Sequence, residues 1–203
     1  MGVNMAAYDA PFGLIPYGPV LRVQRYAVAT ATVVNWSVGD VATAGGAIVS
    51  TPKGYLMTVD MAANMDGTAG ILGAVVAIED EDGAPLQYMA ATRAGNGTIA
   101  GYLMIADSPD QLFLAQEDGA TNAITAIEGS QNANLISETI QATGTMYRST
   151  MQIDSDSAGA AAALNVKLIR PHEDDIPHVD ASPYCRWIVQ INEHFYGDTI
   201  AGV

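Results

Sequence analysis

The chain has 203 residues, of which 49% are hydrophobic and only 15% charged, and its 22 acidic against 8 basic side chains give a formal net charge of −14. That excess repels phosphate backbones at long range and argues against a nucleic-acid partner. The composition is too apolar for a disordered chain, while the longest uninterrupted apolar stretch, Ile71–Ile78, is far short of the ~20 residues of a membrane helix, so no membrane partner is expected either.

The opening residues Met-Gly-Val-Asn-Met lack the basic head and apolar core of a secretion signal. Residues 1–25 hold Pro11, Pro16 and Pro19, with Gly13 and Gly18 between them. Proline fixes φ and removes a donor, so this segment reads as neither helix nor central strand. It carries Phe12, Leu14, Ile15 and Tyr17, too much apolar surface for a plain solvated tail. The expectation is an extended N-terminal arm, outside the core, with these four residues making the interaction. The arm would lie on a neighbour or fold back over its own body as an edge cover.

Residues 26–203 read as a single β domain. Ala27–Val34 is rich in Val and Thr, and Val38–Val41 leads through Gly45-Gly46 into Ala47–Thr51. Tyr55–Met61 alternates, placing Tyr55, Met57, Val59 and Met61 on one face. Ile71–Ile78 is apolar on both faces, as in a strand buried between layers. The acidic run Glu79–Asp82 with Gly83 then turns the chain into Pro85–Ala91, a hairpin. Gly101–Ala106, Ser108-Pro109-Asp110 and Gln111–Glu117 read as a second hairpin.

Later, Leu164, Val166 and Leu168 alternate with Asn165 and Lys167. Arg186–His194 likewise sends Trp187, Val189 and Ile191 inward and Arg186, Gln190, Asn192 and His194 outward. Short helices are expected only at Ala123–Glu128 and Ala160–Ala163, and no internal repeat is evident. Short runs between Gly and Pro punctuation predict an all-β fold, a β-sandwich or a jelly-roll-like body.

None of the polar constellations meets the requirements of an active site, so no enzyme, metal or cofactor is expected. Nucleophilic catalysis needs a base beside the nucleophile. The three histidines lie late in the chain, there is no Gly-x-Ser-x-Gly elbow, and Cys185 has no family signature around it. His172, Glu173, Asp174, Asp175, His178 and Asp180 crowd together with donors that suit zinc, manganese or iron. Two prolines leave their geometry unspecified, so a solvated loop is expected. Asp154–Gly159 opens like a calcium loop but has Ala158 at the fifth position and Asn165 at the twelfth, where a bidentate glutamate is needed, and reads as a polar turn. Glu79–Asp82 reads as a wet hairpin tip, and Gly95–Gly101 as a turn, because it precedes a strand rather than a helix. The lone Cys185 can form no internal disulfide and fits a small core residue in a reducing compartment.

Three segments carry a likeness: the arm Ala10-Pro-Phe-Gly-Leu-Ile-Pro-Tyr17, the run Ser108–Gly119 followed by Gly129–Asn134, and the C-terminal Tyr184–Tyr196. In their order the chain resembles the decoration (cement) proteins, small accessory head proteins of podovirus-like cyanophages and marine phages. The resemblance implies a non-enzymatic virion protein made in the host cytoplasm. It would sit on the outer capsid surface as a homotrimer, with the major capsid protein as partner, stapling neighbouring capsomers. A receptor- or carbohydrate-binding module of a phage fibre is the alternative, followed by a metal-dependent cupin-like enzyme resting on the His172–Asp180 cluster.

Overall fold

A computed structural model describes residues 9–32, 34–61, 64–65, 70–119, 123–125, 130–137, 148–175 and 183–197. Among these the chain forms strands, one short 3-10 turn at Thr30–Thr32 and no α-helix. In chain order the strands are β1 (Ile15–Tyr17), β2 (Val23–Ala29), β3 (Trp36–Ser37), β4 (Val41–Thr51), β5 (Gly54–Met61), β6 (Asn64–Met65), β7 (Ile71–Asp80) and β8 (Pro85–Leu86). They continue with β9 (Tyr88–Met89), β10 (Ile99–Ala106), β11 (Leu112–Gln116), β12 (Asn132–Ser137), β13 (Met151–Gly159), β14 (Val166–Pro171) and β15 (Arg186–Ile191). The fold is an all-β sandwich of two mostly antiparallel sheets.

The first sheet runs β10-β2-β5-β4-β7-β8, and β10 also pairs with β7, so the sheet curls round on itself. One seam of this ring is a single parallel pair, Ala27 with Thr58. The second sheet runs β1-β11-β15-β14-β12-β13, with β6 on β12. It curls likewise: Glu117, just beyond β11, bridges Ile153 of β13 in parallel, and the Asp118 N–H donates to the Ile153 carbonyl at 2.9 Å.

Both rings connect five strands in the same way. In β2, β4, β5, β7, β10 and again in β11–β15, the first strand lies parallel to the third. The third is antiparallel to the second, the second to the fourth, the fourth to the fifth, and the fifth to the first. The fold is therefore a tandem repeat, which the sequence hides. Its traces are slight: Met57-Thr-Val-Asp60 and Met151-Gln-Ile-Asp154 in the third strands, and an acidic turn after each fourth strand.

Alternation sorts the side chains. On β2 and β10, Tyr26 and Leu103 are register partners facing the first ring's interior, while Ala27 and Tyr102 face the opposite side. The second ring's interior holds Phe113, Leu135, Ile153, Leu168, Trp187 and Val189. Val41, Ala74 and Ala106, neighbours across β4, β7 and β10, turn away from the first interior and join this second cluster. One apolar core thus ties the two halves together.

Several expectations need correction. Ser108–Asp110 is not a hairpin turn but the crossover between sheets, because β10 is already flanked by β2 and β7, and β11 by β1 and β15. Asp154–Gly159 is the end of β13, not a turn, since Met151, Ile153 and Ser155 alternate inward along it. Ala160–Ala163 is turn rather than helix, and Ala123–Thr125 is not helical; residues 126–128 lie outside the described residues. Trp187, Val189, Ile191, Val166 and Leu168 face the core as expected, whereas Leu164 precedes β14 and is half-buried. Asn192 and His194 are buried, not outward, because β15 ends at Ile191 and alternation ends with it.

Candidate interaction surface

The N-terminal segment is bound to the body along its length. The Ala10 N–H donates to Gln116 Oε1 at 3.0 Å, Leu14 N–H to the Gly39 carbonyl at 2.8 Å, and Leu21 N–H to Gln111 Oε1 at 3.0 Å. Between these anchors, β1 pairs antiparallel with β11, Pro16 lying opposite Phe113. Proline does not prevent this ladder, because β1 is an edge strand and the missing donor costs nothing on its open side. Gly13 adopts φ +78° and passes so close to Gly39 that a Cβ there would meet the Gly39 carbonyl oxygen at 2.3 Å. A residue with a side chain would push the segment off.

The four expected interaction residues divide. Leu14 is fully buried in the second core, which corrects its place outside the core, and Phe12 is half-buried. Ile15 is 44% exposed. Tyr17 is half-buried on the outer face of the second sheet, where its hydroxyl donates to Glu173 Oε1 and accepts from Arg170, each at 3.4 Å. The 1–25 boundary also cuts through β2, which starts at Val23; residues 1–8 lie outside the described residues. Beyond β1, Val20 and Leu21, which add to the apolar load expected of the segment, are exposed, and so is Val23.

The segment ends in a polar knot that also holds the C-terminal turn. Asp107, fully buried, accepts from Arg22 Nε at 2.7 Å and from the Tyr26 hydroxyl at 2.5 Å. Burial and the Asp107 bond push the Tyr26 phenol above its ordinary range. Arg22 lies over the Tyr196 ring at 4.9 Å, and Tyr196 packs edge-on against Phe195. Leu21 and Val23, on either side of Arg22 in sequence, are exposed, and Phe195 and Tyr196 are each a little under half exposed.

Two buried carboxyl groups stand apart from this surface. Asp40 accepts from the Ser37 N–H at 2.6 Å, and burial raises its pKa to about 6 against the opposing bonds from Ser149 and Ser37. Glu117 accepts from the Ile124 and Cys185 N–H groups at 2.8 and 3.0 Å. Burial raises it to about 7, with Asp118 adding to the effect. The Cys185 thiol is pushed up to about 12, first by burial and then by Glu117. These groups brace loops: Glu117 joins two connections at the end of its ring, and Asp40 ties the turn before β4 to Ser149, just ahead of β13.

The acidic turns are largely neutralised. Arg25 pairs with Glu79 at 2.8 Å, and Arg93 with Glu81 and Asp80. Arg186 holds Asp175 at 2.8 Å. No cluster of three potential metal ligands occurs among the described residues, which include His172–Asp175 but not His178 or Asp180. A cleft of about 330 Å³ is lined by Asp110, Lys167, Gln190, Asn192 and His194. Gln190 Nε2 donates to the Pro109 carbonyl at 2.9 Å, and Asn192 Nδ2 to the Ala162 and Leu164 carbonyls. Burial lowers the His194 pKa and favours its neutral form. No family model matches the chain, and no curated protein and no solved structure matches it.

Proposed function

We propose that this is a non-enzymatic virion protein that binds the outer surface of a phage capsid and holds neighbouring capsomers together. The major capsid protein is its partner, and copies of the chain associate with one another. The observation that supports this reading is the N-terminal segment, which carries exposed Ile15, Val20 and Leu21 on a backbone already tied down at Ala10, Leu14 and Leu21. A surface ordered before binding loses little conformational freedom on contact, so modest apolar burial goes into affinity. Repeated over several copies, weak contacts add through effective concentration. The indoles that a carbohydrate-binding fibre module would display, Trp36 and Trp187, are both buried.

The test uses the full chain, because Leu14 belongs to the core and deletion of the segment would unfold it. Heads purified from the infection that produces the protein are stripped of it, then incubated with wild type or with Ile15→Ser/Val20→Ser/Leu21→Ser. Wild type is expected to co-sediment with the heads at saturable stoichiometry, and the variant to bind at least tenfold more weakly, a loss of about 1.4 kcal/mol. Absence of the protein from purified particles, or equal binding by the variant, would refute the reading.

A further inference from the structure

We infer that the ribbon formed by the outer parts of β4 and β5 is the surface that a second copy of this chain covers. The pairs Ile48–Met57, Val49–Leu56, Ser50–Tyr55 and Thr51–Gly54 build it. β4 meets β7 only through Val41–Thr43, and β5 meets β2 only at Thr58, so the ribbon runs past the ring with both edges open. One face is used internally: Val49 and Leu56 pack against Ala27, Ile99 and Tyr102. The other presents Ile48, 72% exposed, and Tyr55, 80% exposed, on register pairs two apart and therefore on one face. An isolated two-stranded ribbon is marginal in water, but this one is backed on one side and fixed at its tip. The Lys53 N–H and the Gly54 carbonyl both bond the Thr51 hydroxyl, at 3.0 and 2.9 Å.

Charge identifies the occupant. Residues 10–59 contain Arg22, Arg25 and Lys53 and a single acid, the buried Asp40, whereas twenty-one of the 22 acidic residues lie outside this stretch. Copies carrying −14 each repel wherever their acidic surfaces meet. They can touch only where charge is balanced and apolar surface is exposed. The ribbon meets both conditions. At the end of β7 and in the turn after it, Glu79, Asp80 and Glu81 are already paired with Arg25 and Arg93, and Lys53 lies beside that turn at Gly83. Exposed edge strands invite pairing with a like chain unless something blunts them. Here no acid blunts the edges from Val41 to Val59.

The inference goes beyond capsid binding and holds even without it. Light scattering on the full chain at moderate salt gives the molecular mass as concentration rises to ~100 µM, a range that detects dissociation constants weaker than micromolar. Wild type is expected to associate. Ile48→Ser/Tyr55→Ser, at two solvent-facing positions, should keep the wild-type circular dichroism and weaken association at least tenfold. Val20→Ser/Leu21→Ser, on the N-terminal segment, should leave the mass unchanged. A wild-type monomer throughout the range, or a ribbon variant that keeps the wild-type mass, would overturn the inference. So would dissociation by the N-terminal variant alone.

Discussion

The two halves of the molecule solve one problem with different residues. Each ring needs a plug, and each takes it from the connection between its first and second strands and from that between its fourth and fifth. In the first half these are Trp36 and Met89, in the second Ile124 and Cys185, all buried. The second half has smaller plugs and fills the remaining space with Leu14 and with Val41, Ala74 and Ala106 from its neighbour. The first half is therefore closed by its own loops, whereas the second is completed by the first. Equivalent topology does not require equivalent packing; volume is conserved by whatever part of the chain is nearest.

The largest effects are expected at the plugs. Trp36→Ala should cost about 3–5 kcal/mol, and Ile124→Ala less, about 2–4 kcal/mol, since a smaller volume is removed. Both should shift one cooperative urea transition, because the halves share a core cluster. Two separate transitions would show that the halves fold independently. Trp187→Ala, in the second interior, should fall in the Trp36 range.

The buried carboxyls Asp40 and Glu117 set the two halves apart by pH. Their folded pKa values, about 6 for Asp40 and about 7 for Glu117, lie above the ordinary 3.8 and 4.5. The folded state holds these protons more tightly. The resulting stability is therefore fully present below the ordinary values and is lost as pH rises through 6 and 7. For Glu117 the loss is on the order of 3 kcal/mol. The free-energy gap between wild type and Glu117→Gln should consequently move in the variant's favour between pH 4.5 and 7.5, followed by urea titration at each pH. A gap independent of pH would mean that Glu117 is already ionised, and adequately solvated, at low pH.

A smaller contrast lies within two adjacent residues. Leu14→Ala should cost about 2–3 kcal/mol, as for a buried leucine, while Ile15→Ala should stay within about 0.5 kcal/mol. Similar losses at both positions would mean that β1 docks as a whole and that its outer side is not free.

How much of this was legible in the sequence varies along the chain. Strands with strict alternation and one buried face, such as Trp187–Ile191 and Val166–Leu168, announce themselves, and so does the doubly apolar β7. The crossover at Ser108–Asp110 does not, because a proline turn between two strands looks the same whether the strands pair or part. Only knowledge that both edges of β10 are taken decides it. The burial of Leu14 is hidden for a related reason: proline and glycine report local backbone freedom, and nothing local reports that the Gly13–Gly39 approach draws Leu14 inward. The ribbon bearing Ile48 and Tyr55 could have been suspected from the missing acids, a pattern visible only when charge is mapped along the chain instead of summed.

The position of Cys185 makes the molecule a timer of its own opening. Only a thiolate reacts with a disulfide reagent, and a thiol held near a pKa of about 12 inside the second ring yields almost none. Reaction must await an excursion in which the ring parts and the sulfur returns to its ordinary acidity. With reagent in excess, the labelling rate reaches a plateau equal to the frequency of that excursion; with scarce reagent it reports how rarely the open form is populated. The chain's single cysteine thus supplies a built-in probe of the second half, with no competing signal from the first.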